Sequence, residues 1–288
     1  MTAELTARRF TAPLPADIPR DWLPSSPAVA AVLDTYSVLV PANEAFYMRT
    51  ISASLPLIAD PALRRAAAAF IHQEAEHGVA HKRYWVTLDQ QGYRFRGFER
   101  AVERLSFRTV ERIAPLSVRL SMVSCVEHIN AYMGHEFLSQ QILADAHPQV
   151  RALLEWHFAE EIEHKQVSFD VLQAVAPGYV IRVLGLMLTA PLFYAVLTLG
   201  MLRFLAQNKR LWRVSTWRQL LHHLGGGHHM LSRTLKHLWA YARPSFLPSQ
   251  IDDAALAQTV IDRYSSAKAG WLEPANRGKL STQVPTVS

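Results

Sequence analysis

The chain has 288 residues, with 30 Lys and Arg against 24 Asp and Glu, one cysteine and an apolar share of 50%. That length fits one large domain or two small ones, and so much apolar surface excludes disorder for the bulk of the chain. Cys125 has no partner within the chain, which excludes a disulfide framework and points to a reducing compartment.

Residues 1–26 are rich in proline and read as an irregular arm on the surface. They lack the apolar run of a secretory signal, so a cytoplasmic location is expected. A first helix is predicted from about Ala28 to Leu57, with an interruption near Pro41, and a second from Ala62 to about Asp89. Residues 93–113 are mixed and charged and read as a crossover. A third helix is predicted from Leu116 to about Ala144 and a fourth from Pro148 to Val175, with His147-Pro148 and Pro177-Gly178 as stops. No stretch alternates convincingly with period two, so the fold class is all-α. Two long helices, a long connection and two more long helices describe a four-helix bundle with one long crossover over 27–178. An apolar and basic helical extension follows over 179–250, then a short helix and a disordered tail over 251–288.

Charge divides the chain in the same way. Residues 1–170 carry 17 basic and 20 acidic side chains, whereas residues 171–288 carry 13 basic and 4 acidic. All but two of the 14 glutamates lie between Glu44 and Glu163, and eight of the 13 histidines lie between His72 and His164. Carboxylates and imidazoles are therefore concentrated in the predicted bundle.

Within it, Glu74-Ala-Glu-His77 falls on the second helix and Glu161-Ile-Glu-His164 on the fourth. A Glu-x-x-His pair puts both side chains on one helical face. One pair alone means little, because this composition supplies about 0.6 of them by chance. The first and third helices each add a glutamate in an apolar setting, Glu44 and Glu127. The separations, 30 residues from Glu44 to Glu74 and 34 from Glu127 to Glu161, suit hairpins whose sites lie at equal depth. Four buried carboxylates would repel one another and desolvate at prohibitive cost without cations. Two divalent metals would neutralise them, and mixed oxygen and imidazole ligation suits iron, with manganese as the alternative. Glu76, Glu160 and Glu163 are expected off this seam, as solvated charges or hydrogen-bond partners of the ligand imidazoles. His72, His128, His135 and His147 are expected at the surface or at helix caps. Tyr84, Trp85 and Tyr132 read as core, and Cys125 as a small buried hydrophobe.

The order Glu, Glu-x-x-His, Glu, Glu-x-x-His resembles the ferritin-like di-iron carboxylate proteins. The segments LVPANEAFY, HQEAEHGVAHKRYW and HFAEEIEHKQVSFDV, with the later ARPSFLP, also resemble a bacterial family of predicted metal-dependent hydrolases. The resemblance covers most of residues 25–250. His157 stands four residues before Glu161, and a His-x-x-x-Glu-x-x-His helix is similar to that of the di-iron arylamine N-oxygenases. That likeness implies a third imidazole ligand and more nitrogen ligation on one metal. His81, one turn beyond His77, is a possible ligand or a partner of one.

Residues 183–202 contain no charge and have the length of a membrane-spanning helix. A helix buried against the bundle, or an oligomer interface in a homodimer, would read the same. Residues 203–243 carry eight Lys or Arg and no acid, interleaved with Trp212, Trp217, Trp239 and Tyr241. That mixture suits the inner face of a membrane, by monotopic or re-entrant attachment rather than a single span. No readout motif for nucleic acid is visible.

The leading expectation is a di-iron enzyme that activates O2 to oxidise a hydrophobic, lipid-like substrate. Its electrons would come from a separate donor, because no flavin or nicotinamide fingerprint is visible. The alternative is a hydrolase in which two metals lower the pKa of a bound water. A third reading is a non-enzymatic, ferritin-like iron-binding protein.

Overall fold

Ser26 and Pro27 start the first long helix: the Ser26 hydroxyl accepts from the Val29 N–H, and Pro27 occupies a position whose N–H would be unpaired anyway. In the computed structural model, which describes residues 5–15, 17–266 and 270–275, this helix α1 runs over Pro27–Ser54. The interruption expected at Pro41 does not occur. A proline cannot bond the carbonyl four residues back, here that of Ser37. The Trp85 indole N–H donates to that carbonyl at 3.0 Å, so the helix continues without an orphaned group.

Asp60 caps α2, Pro61–Gln90, accepting from the Ala62 N–H at 2.8 Å. The crossover is helical: α3 (Arg96–Val102), a wide π-type segment (Glu103–Arg108) and α4 (Thr109–Ile113). Next come α5 (Leu116–Ser139) and α6 (Pro148–Val175). Helix α5 ends five residues before the expected stop. Gln141 takes a positive φ of 51°, and the chain folds back so that Ile142 and Leu143 enter the core. The residues there are good helix formers, so tertiary burial sets this end rather than local propensity.

Helices α1 and α2 form one hairpin and α5 and α6 another, with α2 packed on α6 and α1 on α5. Their apolar core is split in two. One cluster includes Phe46, Ile51, Phe70, Val123 and Val171; the other includes Leu33, Tyr84, Ile129, Leu153 and Phe158. On α1 and α2 the break between clusters falls at Glu44 and Glu74, and on α5 and α6 the two clusters interleave close to Glu127 and Glu161. The polar layer is thus a slab across the bundle.

The extension wraps this bundle. Helix α7, Tyr179–Gln207, lies along α5 and α1. Gly185 makes the close approach possible, since a Cβ there would stand 2.5 Å from the Ser121 carbonyl oxygen. Helices α8 (Val214–Gly225) and α9 (Met230–Ala242) pack on α1 and α5, and α10 (Ala254–Ser265) packs on α6. The arm is not wholly irregular. Its Arg8–Phe10 strand, β1, pairs antiparallel with β2 (Leu272–Pro274), and Phe10 stacks on Trp156 of α6 at 5.5 Å. Pairing of three residues leaves no period-two signature to read. The disordered tail expected within 251–288 lies, from residue 276, outside the described residues.

Candidate metal centre

Every side chain predicted as a ligand reaches the slab between the two apolar clusters. Glu44 comes from α1, Glu74 and His77 from α2, Glu127 from α5, and His157, Glu161 and His164 from α6. Each is no more than 2% exposed. Two groups of donor atoms gather within 4.8 Å of one another: Glu44, His77, His157 and Glu161, and then Glu74, Glu161 and His164. Ligands about 2.1 Å from a common ion lie about 3–4.2 Å apart, so donors gathered within 4.8 Å need to close by about half an ångström to share one.

His77 Nδ1 is 3.4 Å from Glu44, 3.7 Å from Glu74 and 4.0 Å from Glu161. His164 Nδ1 is 2.9 Å from Glu74, 3.4 Å from Glu127 and 3.7 Å from Glu161. Glu74 and Glu161 therefore lie between the two imidazoles, with Glu44 on the His77 side and Glu127 on the His164 side. All eight oxygens of these four carboxylates, and the Nδ1 atoms of His77 and His164, are buried without a hydrogen-bond partner. Buried polar atoms are rarely left so, and a carboxylate least of all. A pair of divalent cations satisfies ten orphaned atoms at once, so the residues fit the metals that the sequence implies.

The electrostatics agree. Burial holds the carboxyls of Glu44 and Glu127 well above the usual range. Burial also opposes charge on His77 and His164. The hydrogen bond that Glu160 accepts from His77, the Glu44 carboxylate near the same imidazole, and the Glu74 charge beside His164 raise both imidazoles well above their ordinary values. Glu74 and Glu161 are lowered despite burial, by His164 and by His157 respectively. Burial thus favours protons on Glu44 and Glu127, while the neighbouring imidazoles favour charge on Glu74 and Glu161. Metals would displace those protons.

The other nitrogens of the two imidazoles are held crosswise. His77 Nε2 bonds Glu160 of α6 at 2.9 Å, and His164 Nε2 bonds Gln73 of α2 at 3.1 Å. Gln73 and Glu160 each stand immediately before the first glutamate of a Glu-x-x-His pair. Arg8 of β1 closes the ring, donating to Glu160 at 2.9 Å and to Glu163 at 2.9 Å, while Gln73 donates to Glu163 at 3.1 Å. The doubled position of Gln73 and Glu160 was visible in the sequence. Nothing local marks Arg8, which arrives from 152 residues away.

His157 Nε2 lies 2.9 Å from Glu161 and shares a 2.7 Å hydrogen bond with Tyr36. Glu127 and His81 join neither group of donors: Glu127 stands 3.4 Å from His164 Nδ1, and His81 Nε2 is 3.2 Å from His157 Nδ1. Burial and then repulsion by His157 lower the His81 imidazole well below its usual value, so it stays neutral. His128, expected at the surface or a cap, is buried. It stacks on His237 of α9 at 3.9 Å, an environment created by the extension and invisible in α5 alone. Glu76 pairs with Arg9 at the surface.

A narrow apolar cavity of about 50 Å³, open at its mouth, lies between α1, the π-type segment, α5 and α7. Phe46, Val102, Phe107, Met122 and Val126 wall it, and Tyr36 and Tyr47 form part of the lining. Tyr36 joins the cavity to His157. The Tyr47 hydroxyl is buried without a partner. Burial and then the Glu127 charge raise it well above the ordinary tyrosine value, so it remains a hydrogen-bond donor.

No curated protein and no solved structure matches the chain. A family model described as predicted metal-dependent hydrolase matches residues 6–252, which include the four bundle helices, the arm residue Arg8 and the helices α7 to α9. The chain belongs to this family of predicted metal-dependent hydrolases.

Proposed function

We propose that the chain is a non-haem di-metal enzyme, with two iron ions as cofactor and manganese as the alternative, that activates O2 to oxidise a hydrophobic substrate. In this reading Glu44, Glu74, Glu127, Glu161, His77 and His164 hold the metals, and His157 adds a third imidazole on the Glu44 side. The ligand order resembles that of the ferritin-like carboxylate proteins.

The observation that carries the proposal is the pairing of a carboxylate-rich cluster with an apolar cavity. O2 and apolar molecules partition into such a space, whereas hydrolysis needs water to reach the centre and a polar product to leave it. Bound metals would supply the redox chemistry. Hydroxylation turns a C–H into a C–OH and releases the second oxygen as water, using two electrons and two protons from a separate reductase. The chain's own part is to exclude water, to hold His157 through Tyr36, and to offer the Tyr47 hydroxyl to an oxygen atom of the substrate.

The family description favours a second reading, metal-assisted hydrolysis by an activated water. One experiment separates the two. Protein loaded with Fe(II) without oxygen and then mixed rapidly with O2 is expected to consume O2 and to show an optical transient. Full metal occupancy with no transient, together with metal-dependent cleavage of esters or amides in the absence of O2, would replace oxidation by hydrolysis.

A further inference from the structure

Helix α7 is the one element among the described residues that is long and apolar enough to cross a membrane. Its packing argues against a crossing. Gly185 is seated on α5 and Gly200 on Thr35 of α1, fifteen residues apart, so one face is docked along most of its length. A span would have to carry the charged outer surface of the bundle into the bilayer with it. The opposite face is bare. Val180, Leu184, Met187, Leu188, Leu192 and Leu199 are exposed, Val180 by 78% and Met187 by 61%.

Two further observations identify what covers that face. The first is charge. The segment that continues α7, residues 203–243, carries eight Lys or Arg and no acid; Arg210 and Arg233 pair with Asp21 and Glu136, Arg213 and Arg218 are exposed, and Trp212 and Trp239 are 90% and 67% exposed. A symmetric dimer through this region would set like charges together, whereas an anionic lipid surface complements them. Exposed tryptophans beside cations also suit the headgroup layer. The second is continuity. Leu192 of the bare face is also a wall of the apolar cavity, which reaches Tyr36 and Tyr47 at the slab.

We propose that the outer face of α7 seats on an anionic lipid surface, and that the cavity behind it admits an apolar, lipid-soluble substrate with a single oxygen acceptor for the Tyr47 hydroxyl. The substrate half rests on the di-metal oxidation reading; the membrane half does not. Met187 and Leu188 supply the contact, the basic residues after α7 supply the attraction, and Leu192 stands at the mouth.

The full chain is floated with vesicles of phosphatidylcholine alone or mixed with phosphatidylglycerol, and its oligomeric state is read by light scattering. Strong flotation with the anionic vesicles is expected, reduced at least tenfold in the Met187→Glu, Leu188→Glu double variant. Both positions are exposed, so the variant should keep its helical circular dichroism and metal content. An Arg213→Glu, Arg218→Glu variant, which leaves the apolar face intact, should lose binding to anionic vesicles only. No vesicle binding, binding indifferent to these changes, or a dimer that the first variant splits would overturn the membrane half. A spin-labelled medium-chain alcohol tests the cavity by its immobilisation, with metal present or stripped. Leu192→Trp should weaken that binding about tenfold, and a freely tumbling probe would overturn the substrate half. Failure of the oxidation reading would appear differently, as probe and vesicle binding with no O2 chemistry.

Discussion

At the scale of single residues, the orientation of His77 depends on Glu160, and that of Glu160 on Arg8. A carboxylate on Nε2 fixes the imidazole tautomer that presents Nδ1 to the cluster, and partners of this kind tune metal affinity about 10–100-fold. Glu160→Ala should therefore weaken metal binding by about that factor. Glu76→Ala, which frees only the exposed Arg9, should change it by less than about twofold. Chelator-competition titration reads both, and equal losses would show that the Glu160 bond orients nothing. Asp34 gives a separate prediction. It is buried and accepts from Trp22 at 3.0 Å and Tyr84 at 2.8 Å, yet burial pushes its carboxyl up to about 7. Its folded pKa lies above its unfolded one, so its contribution to stability is complete below about pH 4 and is lost as pH rises to about 7. A gap of that size is on the order of 4 kcal/mol. The difference in unfolding free energy between wild type and Asp34→Asn should therefore shift against wild type between pH 4 and pH 8; a constant difference would contradict the assignment.

At the scale of elements, the sequence announces helices where its punctuation is local. Ser26-Pro27, Asp60-Pro61 and His147-Pro148 mark starts that the chain uses within a residue or so. The two Glu-x-x-His pairs likewise made the site legible, because one helical turn is a local relation. What escaped reading depends on distant partners. Pro41 would break α1 but for Trp85, the end of α5 is set by burial of Ile142 and Leu143, and β1 exists only against β2. Arg8 and the two cavity tyrosines belong with these. Helix α7 was ambiguous for the same reason: an uncharged run says that a helix is apolar, not which of its faces finds a partner. Its docking can be tested at Gly185, where a methyl group meets backbone. Gly185→Ala should destabilise the protein by about 1–3 kcal/mol. Gly97→Ala in α3, where a Cβ meets nothing within 4 Å, should be neutral or stabilising by up to about 1 kcal/mol. Denaturant midpoints compare them, and equal midpoints would mean that α7 is not held as described.

At the scale of the whole molecule, the arm, the four-helix bundle and the extension each contribute to one polar slab. The bundle brings the carboxylates and imidazoles, the arm brings Arg8, and α7 closes the apolar cavity against α1 and α5. That construction places ten orphaned donor and acceptor atoms inside a core that is otherwise apolar on both sides. Protons can balance part of the charge, and a pair of cations would give all of those atoms a partner. The most direct measurement is metal content per folded chain, by elemental analysis of protein from its native cell and after reconstitution. About two metals per wild-type chain are expected, as in other Glu and Glu-x-x-His bundles. Glu161→Ala should lose most of both, because its carboxylate lies between the two sites. A folded wild-type chain that takes up no metal, or a Glu161→Ala chain that holds as much as wild type, would contradict the account.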